Sequence, residues 1–160
     1  MPLQKLNYTT EEIAELLDKT QLADEFTWNQ IVQISGFLTA FYADKGEVIY
    51  SEGDHDESMA IIAKGSIKIT KTDNSNNTAT LAQLHASQSL GEMALIDGEP
   101  RSADVIASTN AVLLILNKKS MNQLSRKYPP LGIALLWKIA RTISQRLRKT
   151  SSNLIEHLRP

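Results

Sequence analysis

Apolar positions fall into three regimes along the 160 residues. Between residues 9 and 19, Ile13, Leu16 and Leu17 form a single stripe behind a capping Thr9 or Thr10 and a glutamate-rich first turn. That pattern predicts an amphipathic helix. A second helical stretch runs from Trp28 to Ile34. From Gly36 the period shortens. Short apolar or alternating runs appear at Phe37–Tyr42, Val48–Ser51, Met59–Ala63, Ser66–Thr70, Thr78–Leu84, Ala103–Ala107 and Ala111–Leu116. Turn signals separate them: Asp44-Lys45-Gly46, Glu52-Gly53-Asp54, Lys64-Gly65 and the polar loop Asp73 to Asn77. Seven or eight strands within about 80 residues predict a sandwich, jelly roll or small barrel.

Residues 118–127 return to helical spacing, and Pro129-Pro130 then interrupts the chain. Proline suits a helix start, where its missing N–H would be unpaired anyway. Leu131 to Leu158 reads as one long helix. Along it Leu136, Ala140, Ile143, Leu147, Thr150, Leu154 and His157 recur at alternating steps of four and three. A single helix packed on its own domain can show such a stripe. Its length and regularity favour a parallel homodimer through a Leu136–His157 seam. Leu135 and Ile139, beside the seam, are expected to touch the β-rich body. Trp137 is expected to pack there too, rather than to close over a ligand.

Charge changes the picture by its distribution. The net charge is −1, but residues 1–117 hold 7 Lys/Arg against 17 Asp/Glu, while residues 118–160 hold 10 Lys/Arg and only Glu156. A basic helical tail beside an acidic body is one reading. A surface for an acidic partner or nucleic acid is the other. There is no cysteine, no membrane-length apolar run and no signal-peptide core, which together fit the cytoplasm.

The informative chemistry lies in Leu90-Gly91-Glu92-Met93-Ala94-Leu95-Ile96-Asp97-Gly98-Glu99-Pro100-Arg101-Ser102-Ala103. Gly91 permits close backbone approach. Glu92 to Leu95 can begin a helical turn whose free N–H groups suit an anion. Arg101 offers a planar two-pronged cation for phosphate oxygens, with the Ser102 hydroxyl beside it. Glu92 would repel a bare phosphate, but it can accept from the hydroxyls of a ribose. From spacing alone, a structural Glu92–Arg101 ion pair remains the alternative.

This segment resembles the phosphate-binding cassette of the cyclic nucleotide-binding domain family, which includes the bacterial catabolite activator and kinase regulatory subunits. Lys45 to Asp54 resembles the family's opening strands and turn, and Lys64 to Ile69 its next glycine-marked hairpin. The resemblance runs from about residue 22 to the C-terminus. It implies a mainly β fold with flanking helices: a β-roll or jelly roll (double-stranded β-helix) plus a long C-terminal dimerisation helix. The expected organisation is N-terminal helices at 1–35, the roll at 36–128 and the dimerisation helix at 129–160, all one domain.

The resemblance also implies roles. Glu92 accepts the ribose 2′-hydroxyl. Arg101 pairs with the cyclic phosphate, helped by Ser102 and by backbone N–H groups near Met93, Ala94 and Ala103, and Gly91 allows the approach. Arg146 to Ser151 resembles the part of the activator helix that meets adenine across the dimer. Thr150 and the partner's Ser151 would then read the purine, although a polar seam residue can also simply set register. The implied ligand is cyclic AMP in preference to cyclic GMP.

The implied function is a cyclic nucleotide sensor acting on a downstream protein that the sequence does not name. No winged helix follows residue 158, so DNA is not an expected partner without a further domain. The alternatives are a dimerising scaffold with an empty or differently liganded roll, a fragment of a longer transcriptional regulator, and a nucleic-acid binder using the basic tail. No catalytic residues and no metal ligands are expected: Asp54, His55, Asp56 and Glu57 read as a polar turn, and no nucleophile elbow is present.

Overall fold

The computed structural model describes residues 3–159. Three helices precede and follow the strands as the spacing predicts: α1 (Thr10–Asp18), α2 (Trp28–Ser35) and α4 (Lys118–Lys127). A 3-10 turn, Gln21–Glu25, links α1 to α2, and a short α3 (Glu92–Asp97) lies within the β region. Both α1 and α2 begin with a reciprocal capping box, Thr9 with Glu12 and Thr27 with Gln30. The long α5 spans Pro129–Leu158.

Among the described residues, nine antiparallel strands form two sheets. β1 (Gln4–Lys5), β2 (Thr39–Ala43), β9 (Ala111–Asn117), β4 (Ser58–Lys64) and β7 (Ser89–Leu90) make one sheet in that spatial order. β3 (Val48–Tyr50), β8 (Asp104–Ala107), β5 (Ser66–Thr72) and β6 (Thr78–His85) make the other. The architecture is a β-roll with flanking helices and a long C-terminal helix.

The two hydrophobic clusters explain the sequence pattern. On β4, Ala60 and Ile62 face the interior between the sheets, while Met59 and Ile61 face the helices. On β9, Leu113 and Ile115 point inward, and Leu114 and Leu116 point to the helices. Both faces of these strands are therefore buried, so the strands read as unbroken apolar runs. β6 pairs only with β5 and is largely exposed. That leaves it polar and alternating.

α5 joins the domain by packing on α4, and Leu131, Leu135 and Ile139 are buried in one cluster with residues of α1, α2, α4 and the five-stranded sheet. Ile143 packs partly on the same cluster. Trp137 does not pack on the roll: it is 64% exposed. A helix turns 100° per residue, so Trp137 sits well round from Leu135 and Ile139. Leu136, Leu147 and Leu154 are exposed as well.

Candidate functional site

Arg101 leaves the chain three residues before β8, and its backbone is pinned on the turn at 53–54. Gly53 N–H donates to Arg101 O and Arg101 N–H donates to Asp54 O, both at 2.8 Å. Glu52 N–H donates to Asp104 Oδ1 at 2.7 Å. The polar stretch Asp54–Glu57 is thus part of the arginine's scaffold, and Glu57 pairs with Lys118 at 3.5 Å.

The Arg101 side chain is buried, with 7% of the residue exposed. Nη2 donates to Ser58 O at 2.6 Å and to Ser58 Oγ at 3.3 Å. Nη1 donates to Gly91 O at 3.2 Å. The guanidinium stacks over the Tyr50 ring. The Tyr50 hydroxyl lies 2.8 Å from Ser58 Oγ. Burial pushes the Tyr50 phenol up to about 12, against the lowering effects of Ser58 and of the Arg101 charge. Tyr50 therefore stays a neutral platform. Arg101 Nε is buried without a partner. Among the described residues, no carboxylate lies within 4.0 Å of this guanidinium. A buried cation lacking an anion is costly, and a bound anion relieves that cost.

Gly91 stands where only glycine is comfortable. It has φ 81° and ψ 10° at the start of α3. A Cβ there would lie 2.7 Å from Arg101 Nη1 and 3.1 Å from Ser58 O. The first-turn N–H groups of α3, those of Glu92, Met93 and Ala94, have no carbonyl one turn back within the helix.

Glu92 is buried, and it does not pair with Arg101. Ser89 Oγ donates to its Oε1 at 2.5 Å. Arg146 Nη1, from α5, donates to Oε1 at 3.2 Å and Oε2 at 3.0 Å. Arg146 Nη2 also donates to Ser89 O. The C-terminal helix is thereby fastened to the cassette at its carboxylate.

A cavity of about 460 Å³ gathers these groups, a volume suited to one small ligand. Gly91, Glu92, Met93, Ala94, Arg101, Ser102, Ala103 and Arg146 all line it. Thr150 and Ser151 do not line the cavity of their own chain; both lie on the exposed end of α5. Sequence reading missed Tyr50, Ser58 and Ser89. Tyr50 carried a faint signal, as the one aromatic of a three-residue strand. The two serines carried none, since their roles come from pairing across strands.

Residues 41–128 match the profile described as the cyclic nucleotide-binding domain. The mouse cGMP-dependent protein kinase 2 is 31% identical over 115 residues, covering 71% of this chain and 15% of the kinase. The cyclic AMP receptor protein of Thermus thermophilus is 28% identical over 110 residues, covering 69% of this chain and 49% of that protein. The chain thus spans less than half of either relative. Among solved structures, a cyclic nucleotide-binding domain from Methylobacillus flagellatus superposes with a TM-score of 0.81 at 25% identity, over 94% of this chain and 85% of the other. The catabolite activator protein of Thermus thermophilus superposes with a TM-score of 0.72 at 26% identity, over 83% and 61%.

Proposed function

The chain belongs to the cyclic nucleotide-binding domain family, and from that premise we propose that it is a cyclic AMP sensor signalling through α5 and a homodimer. The carrying observation is Arg101: a buried cation with an unpartnered Nε and no carboxylate, walling a cavity with the first turn of α3. The cyclic phosphate supplies the missing anion. Glu92, in the same wall, accepts the ribose 2′-hydroxyl and exchanges part of its contact with Arg146 to do so. Ser102 and the backbone near Met93, Ala94 and Ala103 complete the phosphate shell.

The base is read from the dimer. Thr150 and the Ser151 contributed by a second copy reach the purine edge, and the exposed seam Leu136, Ala140, Leu147 and Leu154 brings the copies together. Cyclic AMP and cyclic GMP share ribose and phosphate, so discrimination rests on this edge. Guanine carries an extra amine, and an unpaired buried polar group costs about 1–3 kcal/mol, giving roughly 5- to 150-fold preference for adenine. The three segments 1–35, 36–128 and 129–160 act as one regulatory unit, without chemistry of its own, in the cytoplasm. Its output is a downstream protein, and DNA enters only through a further domain.

Calorimetry with cyclic AMP and cyclic GMP tests the proposal. The expected result is saturable binding of both, with cyclic AMP tighter. Equal affinities would remove the purine assignment, and no heat from either would remove the sensor reading itself.

A further inference from the structure

Arg146 is shared by a second cavity of about 230 Å³, between the 3-10 turn, the approach to β7 and α5. Its chemistry is unlike that of the first. Lys138, Arg146 and Lys149 line it from one face of α5, and the side-chain amides of Gln21, Gln88 and Gln145 complete the ring. No aspartate or glutamate lines it.

The charges around it do not cancel. Glu25 holds Lys138, at 3.6 Å, together with Arg141. Glu92 holds Arg146. Lys149 has no carboxylate within 4.0 Å among the described residues. Of the three cations that line the cavity, two are held by carboxylates and Lys149 is left with its charge unpaired beside a small polar hollow.

One neutral group is turned towards donation. Gln88 Oε1 already accepts from His85 N–H at 2.9 Å, so its amide nitrogen is the end left to bond. The hydroxyls of Ser89 and Thr142 are spent on Glu92 and on Lys138 O. Ammonium and amide donors around a cavity without acidic groups suit a compact oxyanion.

We propose that this cavity is a second anion site, for a compact oxyanion such as phosphate, adjoining the nucleotide cavity and sharing Arg146 with it. Lys149 and Lys138 supply charge, and the three glutamines supply direction. The proposal stands on this cavity alone and does not require that the first one bind cyclic nucleotide.

The test is a titration of the full chain, nitrogen-15 labelled, with inorganic phosphate at constant ionic strength, observing the side-chain amide signals. The signals of Gln21, Gln88 and Gln145 are expected to move together along one saturating curve. Lys149→Ala should raise its midpoint at least about fivefold, whereas Lys119→Ala, at an exposed residue outside the cavity, should leave it in place. The same spectra report whether each variant is folded. Signals that never saturate, that respond equally to chloride, or that keep their midpoint in a folded Lys149→Ala protein would overturn the site. Phosphate can also enter the Arg101 cavity, and an Arg101→Ala protein that keeps the midpoint of the glutamine signals separates this site from the sensor reading, whereas loss of the curve in that folded variant would overturn it.

Discussion

The guanidinium carbon of Arg101 lies 3.7 Å from the centre of the Tyr50 ring. The Tyr50 hydroxyl meets Ser58 Oγ, and the same Oγ accepts from Arg101 Nη2 at 3.3 Å. Tyr50 therefore holds the arginine twice, by its face and through a serine. The fork is oriented before any ligand arrives, so little ordering remains to be done on binding.

Replacing Tyr50 separates these two holds. A desolvated cation–π contact contributes about 2 kcal/mol, so Tyr50→Leu should weaken cyclic AMP binding at least about tenfold. Tyr50→Phe keeps the ring and should stay within about threefold. Calorimetry distinguishes them, and equal losses would show that the ring is only filler.

Tyr50 also sets an alkaline limit. Its phenol ionises at about 12 in the folded chain and near 10.0 when unfolded. Between these values the native state keeps a proton that the unfolded state has released. Stability therefore falls as pH rises through this window, by up to about 2–3 kcal/mol. Urea melts on either side of about pH 10 should show the decline in wild type and a shallower one in Tyr50→Phe.

Arg146→Gln should lower the melting temperature by stranding the Glu92 carboxylate. Arg146 is 40% exposed, so the loss is nearer about 1–2 kcal/mol than the larger cost of breaking a fully buried pair. Adding Glu92→Gln should recover most of it. If the two losses simply add, the contact holds nothing in place.

Much of this was legible because local chemistry decides it. Thr9 and Glu12 announce α1, and the glycine-punctuated short runs announce the roll. The seven expected cassette residues lie within one short stretch and all line one cavity, and Arg146 from α5 makes eight of the ten expected site residues there. What the sequence hid depends on packing between distant segments. β1 and β7 have two residues each, too few to show a period. Glu92 could be matched to the nearer Arg101, but the fold gives it Arg146, 54 residues away. Trp137 looked like a core residue by type, and only its angular position on α5 turns it outward.

Arg101→Lys keeps the charge and loses the fork. Two charge-assisted bonds of about 1.5–3 kcal/mol each become one, so binding should fall about tenfold or more. A folded lysine variant with wild-type affinity would displace phosphate from the proposed role. Thermal melting of the variant confirms that the fold is retained.

Leu147 is 64% exposed on the seam. If α5 forms the proposed homodimer, Leu147→Glu should dissociate it, as read by sedimentation equilibrium, without disturbing the melting of the roll. By linkage, saturating cyclic AMP should tighten the wild-type dimer by the same factor that dimerisation tightens cyclic AMP. A monomeric wild type would remove the seam from the mechanism.

From Leu147 to Leu158 every residue of α5 is exposed, so Arg146 is the last polar tether before an overhang. At the helical rise that overhang is about 18 Å long. A tilt of about 10° at its root swings the tip by about 3 Å, roughly the reach of one hydrogen bond. The carboxylate of Glu92 thus sits at the fulcrum of a lever. An exchange of partner there would be magnified along a rod of exposed leucines before it reached anything else.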